Sequence, residues 1–158
     1  GRISPEKNVL RLIEMFSSSV RKLTIYGPFD KHDPSYQHKV MDAINNNSSV
    51  SYGGILAHTE VIPTLSRYNT FYNISFSEGM PVSVLEAASV GLNLVLSDIP
   101  QHVDLDFPDV CYVNPERPIC NMQFDHISFK NKQRVEKSYS INSTVINYNN
   151  IYSELYEK

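Results

Sequence analysis

Two glutamates, Glu78 and Glu86, are separated by seven residues in the segment SEGMPVSVLEAA, residues 77–88. An ionised carboxylate is a hydrogen-bond acceptor only, so each glutamate could take hydrogen bonds from two neighbouring hydroxyl groups. Between them, Gly79 lets the backbone approach a ligand closely, and Pro81 is suited to the first turn of a helix. The free N–H groups and positive dipole end of that helix would favour a diphosphate. The segment therefore has the groups needed to hold an anion between two carboxylates that read hydroxyls, as an activated sugar nucleotide requires.

Glu86 lies in a mostly apolar stretch, PVSVLEAASVG, which we predict to be a helix with Pro81 at its first position and Gly91 as its C-terminal stop. A charge buried without a partner in such a helix would be costly. A ligand that donates hydrogen bonds to the carboxylate would remove this cost. The context of Glu86 therefore favours a role in binding.

Strand-like and helix-like segments alternate on both sides of this stretch. Predicted strands cover residues 22–27, 50–52, 69–75, 93–97 and 110–113. Predicted helices cover residues 5–18, 35–45, 58–67, 81–90 and 141–157. Short apolar strands separated by helices predict an α/β fold, with a Rossmann-like parallel sheet covered by helices on both faces. Ligands bind such sheets beyond the carboxyl ends of the strands, which is where the loop carrying Glu78 would lie.

Length and composition indicate one globular domain. The chain has 158 residues, of which 41% are apolar and 20% charged, as expected for a folded core. The net charge of -3 argues against a broad surface for nucleic acid or anionic lipid, so any phosphate must be met by a local site. No apolar run is long enough to span a bilayer. Cys111 and Cys120 fit neither a zinc site nor a disulfide framework, so we expect reduced thiols in a cytoplasmic protein.

The segment from Glu78 to Glu86 resembles the E-x7-E motif of retaining GT-B glycosyltransferases, particularly those of the large family 4. Further stretches resemble the same family and follow in the same order along the chain. They are Gly1-Arg2 with Lys7, Leu23-Thr24-Ile25-Tyr26-Gly27, Gly54-Ile55-Leu56 and Gly91-Leu92-Asn93-Leu94-Val95. The resemblance implies the C-terminal half of a GT-B fold, which is the half that binds the nucleotide-sugar donor.

The resemblance also implies a role for each matching residue. Arg2 and Lys7 match a basic pair aimed at the donor diphosphate, where a planar fork and a point charge would neutralise the leaving group. Glu78 matches the acidic residue that contacts hydroxyls of the transferred sugar, and Glu86 matches the residue that binds the ribose. Catalysis is thus assigned to Glu78, Arg2 and Lys7. Donor binding is assigned to Glu86, to the backbone of Gly79, Met80, Val82 and Ser83, to Gly27, and to Ile55 and Leu56 where the base packs.

Two positions depart from the family pattern. Pro81 replaces a frequent glycine and has no N–H, so one donor to the ligand is absent. Asn93 stands where the family often has proline. The first departure predicts a site with one backbone donor fewer, whereas we expect the second to matter little.

For a whole protein, the resemblance implies transfer of a hexose from a nucleotide diphosphate donor to a glycan, lipid or protein acceptor, with retention at the anomeric carbon. Such a reaction would belong to polysaccharide or glycoconjugate synthesis. We expect residues 1–158 to be the donor domain of a longer polypeptide whose N-terminal domain binds the acceptor, so this chain alone should transfer no sugar. No cofactor, metal ion or nucleic acid is expected. The other domain could bring this cytoplasmic protein to the inner face of the membrane.

Other functions stay open at the level of sequence. A non-catalytic partner of an active transferase could keep the same fold, and so could a nucleotide-sugar epimerase or a phosphorylase. A phosphorylase would need a lysine placed to hold pyridoxal phosphate, and none is convincingly placed here. The presence of Arg2, Lys7, Glu78 and Glu86 together argues against a non-catalytic partner.

Two acidic clusters could suggest metal ligands. Asp104-Leu105-Asp106 has the Asp-x-Asp form that another glycosyltransferase fold uses to hold a divalent cation. Carboxylates near prolines and turns are usually solvated, which favours a loop interpretation. Asp30, His32 and Asp33 offer hard-metal ligands, but their segment FDKHDP has the residues of a turn. We therefore expect no metal at either place.

Single aromatic and imidazole side chains are interpreted in the same way. His58 follows the Gly54-Ile55-Leu56 stretch, where it could approach a base or phosphate, but an isolated histidine is more often a surface or capping residue. Tyr148, Tyr152 and Tyr156 recur every four residues in the predicted last helix. Such a stripe is typical of a packing face.

Overall fold

The computed structural model describes residues 1–17, 19–118, 128–143 and 145–146. The helices are α1 (Val9–Met15), α2 (Pro34–Asn45), α3 (His58–Leu65), α4 (Val82–Ser89), α5 (Pro100–Val103) and α6 (Phe129–Ser138). The strands are β1 (Leu23–Tyr26), β2 (Val50–Gly54), β3 (Thr70–Asn73), β4 (Asn93–Ser97) and β5 (Val110–Val113). A 3-10 turn at Pro5–Lys7 precedes α1. Strands and helices alternate as the sequence predicts.

All strand pairs are parallel, which confirms the predicted α/β fold. β1 pairs with β2, and β4 lies between β3 and β5. Where the sequence predicted one sheet, the described strands form two, and a cavity lined by β1 and β3 lies between them. The alternation of elements predicts parallel strands but not which strands become neighbours, and this is the reason for the difference.

The core consists of two apolar clusters on opposite sides of β4. Val95 belongs to the cluster that packs α1 and α2 against the strands. Leu94 and Leu96 belong to the second cluster, which includes buried residues of α4 and contacts the partly buried Val135 of α6. Successive side chains of a strand point to opposite faces, and every residue of β4 is buried, so this strand is covered on both sides. β4 is therefore the central strand, and it is fully buried.

The helices differ from the sequence prediction in three ways. The predicted helix 5–18 is divided, because Asn8 has a left-handed φ of 57° between the 3-10 turn and α1. α5 is a single short turn, and α6 has a polar sequence, FKNKQRVEKS, with little apolar periodicity; neither was predicted. Most of the predicted helix 141–157 lies outside the described residues. Its three tyrosines, Tyr148, Tyr152 and Tyr156, lie wholly outside them. Within the described ranges, no helix is long and apolar enough to cross a membrane.

Candidate active site

The loop after β3 and the turn before α1 meet at the carboxyl edge of the strands, and their contact is the centre of the site. Lys7 Nζ donates to Glu78 Oε2 at 2.7 Å. The side chains are 26% and 8% exposed, so the ion pair is largely shielded from water. Shielding strengthens the attraction between two charges relative to a surface pair. The structure thus brings together two of the three residues to which the sequence analysis assigned catalysis.

The second carboxylate oxygen of Glu78 is held by its own loop. Oε1 accepts hydrogen bonds from Ser75 Oγ at 2.7 Å and from Asn73 Nδ2 at 3.0 Å. Burial by itself raises the pKa of Glu78, but the hydrogen bonds from Lys7, Ser75 and Asn73 outweigh it and keep the pKa below the ordinary 4.5. Glu78 is therefore an ionised acceptor with a fixed orientation at neutral pH.

The turn that carries Lys7 is tied to the loop after β3 by hydrogen bonds of its own. Asn8 Nδ2 donates to the backbone carbonyls of Ile74, at 3.2 Å, and Pro115, at 2.7 Å. The backbone N–H of Phe76 donates to the Glu6 carbonyl at 2.9 Å. These bonds flank the ion pair on both chain segments, so they place the lysine against the carboxylate before any ligand binds.

A buried polar network lies beneath Glu78. Ser97 Oγ, at the end of β4, donates to the Ser75 carbonyl at 2.7 Å. His102 Nδ1 lies 3.0 Å from Ser97 Oγ and 3.1 Å from the Ser97 carbonyl oxygen. Sequence reasoning missed Asn73, Ser75, Ser97 and His102. Polar residues at the carboxyl ends of two predicted neighbouring strands could have indicated the serines, whereas no local pattern indicates the histidine.

The start of α4 offers fewer backbone donors than the sequence predicted. Pro81 is the N-cap instead of the first helical residue, and the Val82 N–H already donates to the Met80 carbonyl at 2.9 Å. In the part of the chain that the structure describes, the N–H groups of Gly79, Met80 and Ser83 make no hydrogen bond. These three groups remain for a ligand, together with the positive end of the helix.

Glu86 lies on α4 with its side chain half-buried at the cavity. Val84, Ala87 and Ala88 of the same helix are fully buried, so they anchor the helix in the second apolar cluster. Among the described residues, nothing donates a hydrogen bond to the Glu86 carboxylate. A half-buried carboxylate without a hydrogen-bond partner among the described residues is suited to a ligand that donates, and the ribose-binding role stays a prediction.

A cavity of about 940 Å³ joins these groups. Besides Glu78 and Glu86, its lining includes most of the residues assigned to the site from the sequence. They are Arg2, Lys7, Gly27, Ile55, Leu56, Met80, Val82 and Ser83. Ile55, Met80 and Val82 have exposed apolar side chains at this surface. The cavity is large enough for a nucleotide-sized ligand, since small-molecule sites commonly measure about 300–1,000 Å³.

Arg2 is less closely integrated than Lys7. Its side chain is 57% exposed and pairs with Glu6 at 3.2 Å and with Asp30 at 3.8 Å. The residue lines the cavity, but its guanidinium is directed to these carboxylates and not to Glu78. Exposed ion pairs contribute little stability, so Arg2 could exchange these partners for a phosphate at small cost.

Gly27 and Gly79 are glycines for different reasons. Gly27 has a φ of +142°, and a side chain there would clash with the backbone carbonyl of Gly1. The fold itself therefore requires this glycine. At Gly79 a Cβ would meet no atom within 4 Å, and φ is outside the left-handed region. The described protein gives no steric reason for a glycine at position 79, and Gly79 is not among the residues that line the cavity, so its role in donor binding stays a prediction.

The acidic clusters serve local structure. Asp33 caps α2 by accepting from the Tyr36 N–H at 3.0 Å, and Asp30 accepts from the His32 N–H at 3.0 Å. Asp106 is exposed and pairs with Arg134 at 3.3 Å. The described ranges contain no group of three or more histidine, cysteine or acidic side chains placed to hold a metal ion.

The sequence was compared with models of known protein families and with curated proteins. A family model described as Glycosyl transferases group 1 matches residues 1–105 of the 158, a range that includes every residue of the site. No curated protein matches the sequence. The match thus covers the first turn, the four strands β1 to β4 and helix α4.

Solved structures share the fold at low sequence identity. Sucrose-phosphate synthase from Thermosynechococcus elongatus has a TM-score of 0.81 at 17% identity, over 99% of this chain and 44% of that chain. HepE from Anabaena, solved in complex with UDP and glucose, has a TM-score of 0.74 at 14% identity, over 100% of this chain and 47% of that one. The catalytic domain of cholesterol-α-glucosyltransferase from Helicobacter pylori has a TM-score of 0.57 at 15% identity, over 88% and 84%. This chain spans less than half the length of the first two.

Proposed function

This chain belongs to the group 1 family of glycosyl transferases, and on that premise we propose that its cavity binds a nucleoside diphosphate sugar as the donor for transfer to an acceptor. The observation that carries the proposal is the ion pair between Lys7 and Glu78 at the same cavity as Glu86 and the start of α4. A cation, unpaired N–H groups and two carboxylates at one cavity match the phosphates and hydroxyls of such a donor.

The diphosphate is proposed to bind at Lys7 and the start of α4. An ammonium group has three donors, and the single hydrogen bond to Glu78 leaves two for phosphate oxygens. The N–H groups of Gly79, Met80 and Ser83 would supply further donors, and Arg2 could turn from its surface partners to join them. These groups would also neutralise the charge that develops on the diphosphate as the sugar leaves.

The hydroxyl groups are proposed to bind at the two glutamates. A carboxylate has about four acceptor positions, and the three hydrogen bonds of Glu78 leave room for a hydroxyl of the transferred sugar. Glu86, whose carboxylate accepts no hydrogen bond from a described residue, would accept from the ribose. Ile55 and Leu56 would pack against the base, and Gly27 would shape the edge of the cavity beside them.

The reaction is proposed to retain the configuration of the anomeric carbon and to need neither cofactor nor divalent metal. Retention rests on the resemblance of Glu78 to Glu86 to the E-x7-E motif. Independence from metal rests on the positive groups already at the cavity, Lys7, Arg2 and the N–H groups at the start of α4. If a metal were needed after all, chelation would abolish donor binding.

The acceptor is proposed to bind to another domain of a longer polypeptide, in keeping with the length of this chain relative to the first two solved structures. Transfer requires the acceptor hydroxyl to lie in line with the anomeric carbon. Such positioning can lower the activation free energy of a reaction by up to about 7–11 kcal/mol. We therefore expect this chain alone to bind the donor without transferring sugar. The acceptor would be a glycan, lipid or protein in a cytoplasmic synthetic pathway, with the other domain at the membrane.

Calorimetric titration with UDP-glucose, a GDP-sugar and an ADP-sugar, each with and without EDTA, tests the proposal. UDP-glucose is the first ligand to try, because the similar HepE structure was solved with UDP and glucose. We expect saturable binding of one donor with unchanged affinity in EDTA. Absence of binding to all three donors would contradict the proposed donor site, and loss of binding in EDTA would refute the metal-independent part of the proposal.

A further inference from the structure

We propose that His102, a buried residue that does not line the cavity, is a positioning residue for Glu78 and acts through Ser75, in the loop after β3, and Ser97, at the end of β4. The inference rests on the proposed function for the role of Glu78 in contacting the sugar. It adds a residue to which neither the sequence analysis nor the family resemblance gives a role. The observations that carry it are a continuous line of short hydrogen bonds and one buried atom without a partner.

The line of hydrogen bonds runs from α5 to the carboxylate. His102 Nδ1 contacts Ser97 Oγ at 3.0 Å, and Ser97 Oγ contacts the Ser75 carbonyl at 2.7 Å. Ser75 Oγ in turn contacts Glu78 Oε1 at 2.7 Å. Ser75, Ser97 and His102 are all fully buried, so these bonds do not compete with water. Each link therefore restrains the next.

The acceptors along the line decide where the protons lie. Carbonyl oxygens accept only, so the Ser97 hydroxyl proton points to the Ser75 carbonyl. The Ser97 carbonyl likewise requires the His102 proton on Nδ1, at 3.1 Å. Ser97 Oγ then accepts from the same Nδ1–H, which polarises the hydroxyl and strengthens its bond to Ser75. The histidine thus sets the direction of the serine.

The other imidazole nitrogen argues against a plain packing role. His102 Nε2 is buried and has no hydrogen-bond partner among the described residues. An unpaired buried nitrogen is costly, and an apolar side chain of similar size would avoid this cost. What the imidazole provides, and an apolar side chain could not, is the Nδ1–H donor to Ser97. The free-energy cost of burying Nε2 without a partner is therefore offset by the hydrogen bonds that Nδ1–H donates.

The consequence for Glu78 follows from the place of Ser75. Its carbonyl is held by Ser97, and its one hydroxyl proton is shared between Glu78 Oε1, at 2.7 Å, and Asn73 Oδ1, at 2.6 Å. Ser75 is thus held by Ser97 through its carbonyl and contacts the Glu78 carboxylate through its hydroxyl. Without the donor at position 102, we expect the loop from Ser75 to Glu78 to sample other orientations, which would weaken hydrogen bonding to the sugar more than binding of the phosphates.

Two substitutions at His102 distinguish the effect of its Nδ1–H hydrogen-bond donor from the effect of its side-chain volume. Asparagine places an amide N–H where Nδ1–H lies, whereas leucine fills similar space without a donor. For His102→Leu we expect the affinity for the nucleotide sugar to fall about tenfold, and that for the free nucleoside diphosphate less than about threefold. For His102→Asn we expect both affinities within about threefold of the wild type. Equal losses for both ligands in the leucine variant, or no rescue by asparagine, would overturn the inference.

A measurement without ligand keeps this test independent of the proposed function. The side-chain carboxyl carbon of Glu78 can be followed by NMR while the pH is lowered. Loss of an ordered Ser75 donor raises the pKa of Glu78, so we expect a higher pKa in His102→Leu and the wild-type pKa in His102→Asn. If the leucine variant does not fold, Ser97→Ala removes the next link and should raise the pKa in the same way. An unchanged Glu78 pKa in a folded variant contradicts the positioning role, whereas wild-type protein that binds no nucleotide sugar contradicts the proposed function alone.

Discussion

Lys7 Nζ and Glu78 Oε2 lie 2.7 Å apart although 71 positions separate them in the sequence. Their ion pair joins the 3-10 turn before α1 to the loop after β3, and it lines the cavity that also contains Glu86. Because the pair is mostly shielded from solvent, each charge is held by the other in a defined place. The pair is therefore both a link between two chain segments and a ready source of one cation and one acceptor.

Replacing Lys7 with methionine should weaken binding of a nucleoside diphosphate about tenfold and leave binding of the nucleoside nearly unchanged, since the ammonium is proposed to meet phosphate alone. Calorimetry with both ligands measures the difference. Lys39→Met, on the exposed face of α2, is the matched control and should bind like the wild type. Parallel losses for nucleoside and nucleoside diphosphate would show that Lys7 acts on the fold instead.

Replacing Glu78 with glutamine should reduce the affinity for the nucleotide sugar about tenfold more than the affinity for the free nucleoside diphosphate. The carboxamide keeps the shape of the side chain but weakens hydrogen bonding to a sugar hydroxyl and leaves Lys7 without its counter-charge. Titration of one variant with the two ligands gives the comparison. Glu78 does not face the sugar if the two affinities fall by the same factor.

Replacing Glu86 with glutamine should weaken binding of both the nucleoside diphosphate and the nucleotide sugar by about 1–3 kcal/mol, because the ribose is common to them. No described residue donates a hydrogen bond to the Glu86 carboxylate, so we expect little effect on the free energy of unfolding. Glu136→Gln on α6 is the control for loss of an exposed helical glutamate. Unaltered affinity in the Glu86 variant would remove this residue from the site.

Alanine at the two contrasting glycines separates binding from folding. Gly27→Ala should lower the free energy of unfolding by about 1–3 kcal/mol or more, because of its positive φ and the nearby Gly1 carbonyl. Gly79→Ala should leave that free energy unchanged or raise it by up to about 1 kcal/mol, while weakening donor binding. Urea unfolding and calorimetry test the two halves. A stable Gly79 variant that binds the donor normally would mean that no ligand approaches that backbone closely.

Acidification should destabilise the protein through His102. Burial lowers the pKa of His102 below the ordinary 6.5, against the opposing effects of the Ser97 carbonyl and the Glu78 charge; Lys7 lowers it further. Between the lowered folded pKa and 6.5 the unfolded chain binds a proton that the folded protein does not, so this contribution to stability is present above pH 6.5 and lost as pH falls. His102→Asn should reduce the loss of unfolding free energy between pH 7.5 and 5.5, which urea unfolding at the two pH values measures. An identical pH dependence in wild type and His102→Asn would contradict the buried neutral imidazole.

Local sequence patterns predicted the elements around the site better than the contacts within it. The predicted strands 93–97 and 110–113 have the observed bounds, because β4 is apolar at successive positions and Gly91 ends the preceding helix with a φ of +83°. α6 was missed because much of its attachment is polar: Asn131 is buried and donates from Nδ2 to the Asp109 carbonyl at 2.8 Å. A helix held by such contacts lacks the apolar stripe on which periodicity depends.

In the candidate site, too, features encoded locally were predicted, whereas contacts between distant segments were not. The E-x7-E spacing and the strand-loop-helix order could be read locally, so Glu78 and Glu86 were predicted to lie near one ligand site, and both line one cavity. The ion pair with Lys7 and the support from Ser97 and His102 depend on which strands become neighbours. Tertiary structure decides this, and a single sequence without its fold does not contain it in any local pattern.

The most direct measurement is an amide NMR titration of the protein with UDP. The account predicts saturable shifts of the Gly79, Met80 and Ser83 signals, because these N–H groups lack hydrogen bonds among the described residues and are proposed to meet the diphosphate. Uridine at the same concentrations should shift them much less, since it has no phosphate. Unchanged signals from these three amides while UDP binds, or shifts confined to the acidic segments at Asp30–Asp33 and Asp104–Asp106, would contradict the proposed donor site.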